Sequence, residues 1–491
     1  MAEGSSEAVD VLVVGAGFSG LCMGIKLRKA GIESFLIIEK ASDVGGTWWE
    51  NRYPGCACDI PSHLYSFSFD RNPDWTEMFA SQPEIQAYLK RCADKSGILP
   101  KIRFHTKMRE AVWNEERQRW IVSTSTERTI EARVLVSGMG ALHVPRYPEI
   151  PGIERFAGPK FHSAKWDRGV QLIGKHIAVL GTGASAVQFV PEIAPRAKKV
   201  FVYQRTPAWI IPRVGGPIVE PFRQWFRRAP CLSWGFRMFL FWMLEMRVAG
   251  FLGNLKMRER GKKLALEHLE RQIPDLSLRA KLTPNYEFGC KRVLLSNDFY
   301  PTLMRPNVEL VAEDIREIRE HSLVTATGVE RPADVLIFGT GFRATELLKG
   351  TRIVGRFGVE LQQAWHERVN AYLGVTVSGF PNFFMLLGPN TGLGHNSVVL
   401  MIEAQVKYVI KCLALMRRKG QNVMDVRAET QQHFLEMLRK KLAGTVWETG
   451  GCRSWYQDPR TGETPAIWPG SVVSYRRQMR RVSAADYKFS S

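Results

Sequence analysis

Val9–Gly20 reads VDVLVVGAGFSG. Val9 to Val14 is a short, almost wholly apolar run, the composition of a strand buried on both faces of a parallel sheet. The turn Gly15-Ala16-Gly17-Phe18-Ser19-Gly20 leads into a predicted helix over Leu21 to Ala30, and Phe35 to Ile38 gives a second strand ending in Glu39 and Lys40. Gly15 permits the tight turn, Gly17 lets the backbone approach a pyrophosphate, and Gly20 lets helix and strand pack closely. The pyrophosphate would sit on the helix N-terminus beside Phe18 and Ser19, and Glu39 would accept hydrogen bonds from a ribose. An acid at that position favours an unphosphorylated ribose, so FAD or NAD at this first site.

Gly45–Asp59, GGTWWENRYPGCACD, follows this unit and runs on through Tyr65 to Phe69. Its glycines, two tryptophans, Tyr-Pro-Gly turn and single acid suit a wall around a flat ligand, with Gly46, Thr47, Trp48, Trp49, Tyr53 and Tyr65 as candidate lining. From Arg103 to Val136 the alternation around Trp113, Trp120 and Ile121 reads as strands completing the first domain, with Val112 a further candidate FAD contact.

A second unit repeats the pattern. Lys175 to Leu180 is the strand, Gly181-Thr182-Gly183-Ala184-Ser185 the turn, and Val200 to Tyr203 a strand followed by Arg205-Thr206. Arginine there suits a 2′-phosphate, so this site is expected to take NADPH. One acid-tipped and one arginine-tipped site imply FAD and NADPH held face to face. The competing reading is a duplicated fold with one inactive site. The expected fold is α/β, two Rossmann-like dinucleotide-binding domains with a helical insertion in the second.

The 491 residues carry 68 Lys+Arg against 48 Asp+Glu, a net charge of +20. That field favours anionic partners, but no nucleic-acid module accompanies it, and nucleic-acid binding is not expected. Eight cysteines without paired framework spacing, and an N-terminus with no apolar signal region, point to a reducing cytoplasm and free thiols. Cys56 and Cys58, in Cys-x-Cys spacing, point to opposite faces of an extended segment and do not read as a redox pair.

Phe156-Ala157-Gly158-Pro159-Lys160-Phe161-His162-Ser163-Ala164-Lys165-Trp166-Asp167 resembles the fingerprint of Baeyer–Villiger monooxygenases at every fixed position: Phe156, Gly158, His162, Trp166 and Asp167. The Gly-Gly-x-Trp, Tyr-Pro-Gly and Asp59 pattern resembles that family's other signature. The resemblance covers most of the chain and is least informative over Val214 to Pro284. It implies that Lys291 joins Arg205 and Thr206 on the 2′-phosphate, that Arg292 reaches the flavin, and that the loop carrying Trp455 closes over the nicotinamide. It further implies an NADPH- and O2-dependent enzyme that inserts oxygen beside a ketone carbonyl through a flavin C4a-peroxide, with Arg292 stabilising the anion and Asp59 orienting Arg292. His162 is expected to be an orienting hydrogen-bonder rather than a proton carrier. Oxygenation of sulfur or nitrogen, and a membrane-surface binding protein with vestigial cofactor sites, are the alternatives.

The expected domains are 1–142 (FAD, first part), 143–168 (linker with the fingerprint), 169–213 (NADPH, first part), 214–284 (helical insertion), 285–345 (NADPH, second part) and 346–491 (FAD, second part, with the C-terminal loop). Within the insertion, 222–263 is basic and aromatic together and too interrupted for a spanning helix. It reads either as a peripheral membrane contact or as a plain helix-packing face. Near the end, Asn396 or Ser397 is expected to cap a long helix from Val398 to Met416 whose positive end faces the flavin, and the tail after Arg481 is expected to be loose.

Overall fold

The computed structural model describes residues 7–348 and 350–491. Strand β1 (Glu7–Val14) lies parallel between β2 (Phe35–Ile38) and β3 (Thr129–Ser137), with Val14 opposite both Ile38 and Ser137. The three strands therefore end level, and the chain leaves β1 and β3 through glycines. Gly15 has φ +100°, and a Cβ on it would sit 2.9 Å from Gly138 O; a Cβ on Gly20 would sit 1.7 Å from Gly15 O. Only glycine fits either position. Helix α1 (Phe18–Lys29) starts three residues earlier than the apolar pattern indicates, because Gly17 is already its N-cap.

The second unit repeats this geometry. Strand β4 (His176–Leu180) runs through a glycine turn into α2 (Ala184–Ile193) and on to β5 (Lys199–Tyr203). Gly181 has φ +103°, and its Cβ would lie 2.6 Å from Gly339 O, just beyond β6 (Val335–Phe338). The five-stranded parallel sheet is ordered Val308–Val311, β5, β4, β6, Lys160–His162. The fingerprint segment thus supplies an edge strand as well as a connection.

After β6 the chain returns to the first sheet, where β7 (Phe383–Met385) pairs parallel with β3. Strands Met108–Asn114 and Arg119–Thr124 extend that sheet antiparallel, with Val112 paired to Ile121 and Val354. The insertion is helical: α3 (Glu220–Arg228), α4 (Pro230–Glu245) and α5 (Leu255–Gln272). Helix α6 (Val398–Lys419) is packed against α1. Among the described residues no single helix is long and apolar enough to cross a membrane.

The tail is not loose. Strand β8 (Val423–Val426) pairs antiparallel with β9 (Tyr487–Ser490), and the Tyr487 hydroxyl lies 2.7 Å from that of Tyr408, both side chains buried. The aromatic ring needs that burial, and the pairing satisfies the backbone of an otherwise open edge. Tyr487→Ala should therefore lower unfolding free energy by about 4 kcal/mol in equilibrium urea denaturation, as buried aromatic truncations do, whereas a loose tail would give a change near zero.

Candidate active site

Asp59 and Arg292 are 233 positions apart in sequence, yet Arg292 Nε and Nη2 both lie 2.6 Å from Asp59 Oδ2. Asp59 is held from the first unit: Cys58 N–H donates to Ala80 O at 2.9 Å, and the Ser62 hydroxyl donates to Glu77 O at 2.7 Å. Arg292 is held from the second: Leu294 N–H donates to Trp209 O at 2.9 Å and Trp209 Nε1–H to Tyr286 O at 3.0 Å. Burial opposes the charge on Arg292, but the Asp59 carboxylate outweighs it, and the guanidinium is held above the usual arginine range. About a quarter of the Arg292 side chain (26%) stays open to solvent, so the cation is poised rather than sealed.

The aromatic wall forms beside this pair. Trp48 and Tyr65 meet edge to face at 5.7 Å, and Trp48 Nε1–H donates to the Tyr65 hydroxyl at 3.3 Å. Burial drives the Tyr65 hydroxyl to a pKa well above its usual range, so it stays protonated. The loop under Trp48 is propped by Gln82, whose Nε2 donates to Trp48 O, and Gln86, whose Nε2 donates to Val44 O. Trp49 faces elsewhere, stacked under Arg52 at 3.4 Å. Tyr53 joins the two units: its hydroxyl donates to Gln188 Oε1 of α2 at 2.9 Å, and Gln188 Nε2 returns a bond to Ala57 O at 3.0 Å. A cavity of about 680 Å3 lies in that seam, between the Tyr53–Ala57 turn and Ser296–Asp298, but neither Asp59 nor Arg292 lines it.

Both cradles have the form a dinucleotide requires. Helices α1 and α2 begin after Gly17 and Gly183 with no side-chain cap and no acid in the first turn, which leaves backbone N–H groups for an anion. Phe18, Ser19, Thr182, Ala184 and Ser185 sit in those first turns or the glycine turns before them. Gly46 and Thr47 open a short helix against the first cradle, where a Cβ on Gly46 would come within 3.0 Å of Gly17 Cα. Glu39 is buried, and both its oxygens accept backbone N–H bonds, from Ala16 at 2.7 Å and Ala41 at 2.9 Å. It therefore fixes the glycine turn itself. Lys40 is engaged with Glu50 at 2.8 Å.

Arg205 and Thr206 follow β5, and Lys291 lies close enough to Arg205 to feel its charge. Burial and the neighbouring Arg205 charge both lower the Lys291 pKa, and neither cation forms an ion pair with an acid among the described residues. Two neighbouring cations without an acid partner suit a phosphate.

Two expectations need correction. Neither Asn396 nor Ser397 caps α6 with its side chain: Asn396 Nδ2 is drawn to Glu245 Oε2 at 2.8 Å, and the buried Ser397 hydroxyl has no partner. The α6 N-terminus, with Val398 first, is thereby left open to a ligand's acceptor atoms. Cys290 and Cys452 are disulfide-bonded, not free; 162 residues separate them, so no local spacing reveals the pair. The other six cysteines are free, and burial pushes the Cys56 thiol up to about 12, which leaves it inert. Trp455 is exposed, and its neighbour Tyr456 is buried beside Arg292, whose charge partly offsets the effect of burial on the Tyr456 hydroxyl. Sequence reasoning missed Tyr456 because no periodicity in that loop separates one aromatic from the next.

The fingerprint residues fasten the edge strand. A Cβ on Gly158 would lie 2.2 Å from Asp334 O and 2.9 Å from the Phe156 ring, so the glycine lets the segment close onto the second sheet. His162 Nδ1 accepts from Ala164 N–H at 3.1 Å, so Nε2 carries the proton and donates to Gly341 O at 3.0 Å. Trp166 packs on Phe161 and Phe189.

Two dinucleotide cradles joined by an aromatic wall and an arginine–aspartate contact define a flavin- and nicotinamide-dependent oxidoreductase of the two-domain type. The flavin-binding monooxygenase-like family matches residues 8–347. A Baeyer–Villiger monooxygenase of Pseudomonas aeruginosa is 45% identical over 98% of this chain and 91% of its own, and one of Streptomyces coelicolor is 42% identical over 98% and 93%. Among solved structures, cyclohexanone monooxygenase from Rhodococcus sp. Phi1 bound to NADP+ superposes with a TM-score of 0.89 at 28% identity, covering 99% of this chain and 100% of that one. Steroid monooxygenase bound to NADP gives 0.87 at 30%, covering 98% and 99%. The chain belongs to the flavin-binding monooxygenase-like family and, within it, to the Baeyer–Villiger monooxygenases.

Burial lowers the pKa of His162 to about 4, and burial with the nearby Arg237 charge lowers that of His63 to about 4. Both imidazoles are neutral in the folded protein and titrate near 6.5 when unfolded, so the unfolded chain binds more protons between those values. Stability should be full above about pH 6.5 and fall as pH drops toward 4, by up to ~1.4 kcal/mol per pH unit for each histidine. Urea denaturation across that range checks this; a His162→Asn slope equal to the parent's would remove His162 from the account.

Proposed function

We propose that this chain is an FAD-containing, NADPH- and O2-dependent enzyme that inserts one oxygen atom next to a ketone carbonyl, giving an ester or lactone. The observation that carries the reading is the fork of Arg292 on Asp59, which brings one residue from each unit into one charged contact. When bound, the flavin supplies the activated oxygen and the reduced nicotinamide supplies the hydride.

The chain's own part is positioning and electrostatics. Asp59 holds the Arg292 fork in one orientation and keeps it charged. The guanidinium is then available to the oxyanion that develops on the ketone carbonyl, an effect of about 3 kcal/mol per donor. Trp48 and Tyr65 keep water from that position, and Tyr456 covers Arg292 from the C-terminal loop. Arg205, Thr206 and Lys291 hold the 2′-phosphate, so NADPH is preferred to NADH. His162, neutral and spent on two backbone bonds, fixes the edge strand and carries no proton in the reaction. The cytoplasm is the compartment that fits an NADPH-consuming enzyme, and the buried thiols of Cys22, Cys56, Cys58, Cys92 and Cys412 agree with it, while the Cys290–Cys452 bond is the one feature that favours an oxidising setting.

Arg292→Ala should still permit NADPH to reduce the flavin while ester formation from a ketone falls roughly 100- to 1,000-fold. Ester at a near-normal rate would take Arg292 out of the mechanism. Sulfoxide from a thioether, with no ester from any ketone, would favour sulfur oxygenation instead. Arg205→Ala with Lys291→Ala should raise KM for NADPH by about tenfold or more and leave KM for NADH within about twofold. Equal changes for both cofactors would move the 2′-phosphate elsewhere.

A further inference from the structure

A surface helix ordinarily buries its apolar stripe and shows its polar face to water. Helix α4 buries Leu240, Phe241 and Leu244 in this way, but it also buries both of its charged residues and leaves large aromatics outside. Its charged residues Arg237 and Glu245 are buried: Arg237 Nη1 donates to His63 O at 2.6 Å and Ser66 Oγ at 3.2 Å, while Glu245 accepts from Asn396 Nδ2 at 2.8 Å and Val473 N–H at 2.9 Å. Facing water instead are Trp234, Phe239 and Trp242, at 58%, 61% and 52% exposure. At about 100° per residue, Trp234, Trp242, Phe239 and Leu232, with Met246 just past the helix end, fall within one arc of about 160°, whose one charged residue, Glu245, is buried. The adjoining helix α3 continues the surface with Trp225, also more than half exposed, and a Phe226–Phe236 stack at 5.7 Å locks the two helices together. Three of the four exposed tryptophans in the described residues lie on this one face.

The chain flanking this face is cationic: Arg228 ends α3, Arg247 follows α4, and Lys256 and Arg260 lie in α5. Arg228, Arg247, Lys256 and Arg260 are exposed and form no ion pair with an acid among the described residues. A tryptophan-rich apolar face flanked by unpaired cations has the chemistry of the lipid–water boundary, where indole rings sit at headgroup depth and Lys or Arg meets anionic lipid. A second copy of the chain would set these flanking cations against themselves, on a molecule already at +20. The geometry is that of a surface contact: the segments Pro230–Phe251 and Leu255–Gln272 bend by 107° between them instead of forming one long span.

We propose that α3 and α4 form a docking face for an anionic bilayer, with α4 lying flat in the headgroup region. Trp234, Phe239 and Trp242 enter the acyl boundary, and Arg228 and Lys256 contact the anionic headgroups. Because Arg237 grips His63 and Ser66, a few residues after Asp59, the docked helix and the catalytic segment form one packed body.

The FAD-loaded full chain should float with vesicles of phosphatidylcholine containing about one third phosphatidylglycerol, with a blue shift in tryptophan emission. It should float weakly with phosphatidylcholine alone and lose binding as salt is raised. Trp234→Glu, Phe239→Glu and Trp242→Glu together should cut vesicle partitioning at least about tenfold while flavin content and NADPH oxidation stay at the parent level. The same three positions as serine, a milder change at exposed sites, should also lose binding. A parent protein that ignores anionic vesicles, or a triple variant that floats like the parent, overturns the proposal. So does light scattering that finds the parent a dimer and the triple variant a monomer, since a second copy would then be what covers the face.

Discussion

The contact between Asp59 and Arg292 is the constraint on which the rest of the structure turns. An arginine and an aspartate at 2.6 Å are easily satisfied within one domain; here they come from two, and a substantial part of the molecule holds the two units in register. Tyr53 and Gln188 bolt the Tyr-Pro-Gly turn to α2, and a Cβ on Gly55 would lie 2.8 Å from Gln188 O, so even the turn's glycine is needed for the units to close. On the other side, the bond between Cys290 and Cys452 ties the segment next to Arg292 to the C-terminal loop that brings Tyr456. Electrostatic stabilisation depends on such preorganisation, because a donor that must first be moved into place loses much of its advantage.

The two cradles show how one backbone solution serves two roles. In each, a positive-φ glycine at the end of a strand lies against the carbonyl of a glycine ending the neighbouring strand, Gly15 on Gly138 and Gly181 on Gly339. What differs is the second strand's end: Glu39 in the first unit, Arg205 and Thr206 in the second. Glu39 braces its own glycine turn directly, with Oε2 accepting from Ala16 N–H of the turn and Oε1 from Ala41 N–H just beyond β2.

Much of this was legible in the sequence, for physical reasons. Buried parallel strands are short apolar runs, and glycines are confined where a Cβ would collide, so β1, β2, β4 and β5 and both turns could be read directly. Contacts between distant segments left no local mark. The bond between Cys290 and Cys452 spans 162 residues, and the closing of β9 onto β8 depends on Tyr487 reaching Tyr408, 79 positions away. The uncapped start of α6 was hidden for a similar reason: Asn396 is a good cap by residue type, but Glu245 from the insertion takes its side chain. In α4 the basic and aromatic composition was plain, while the outward placement of its tryptophans depended on which side the protein would cover.

If Asp59 and Arg292 act as one unit, their removal cannot be additive. The most direct measurement is a double-mutant cycle on ester formed per NADPH consumed, using Asp59→Ala, Arg292→Ala and the combined variant with a single ketone. The account predicts that the double variant is about as impaired as Arg292→Ala alone. Losses that multiply, or an Asp59→Ala enzyme that keeps full coupling, would contradict it.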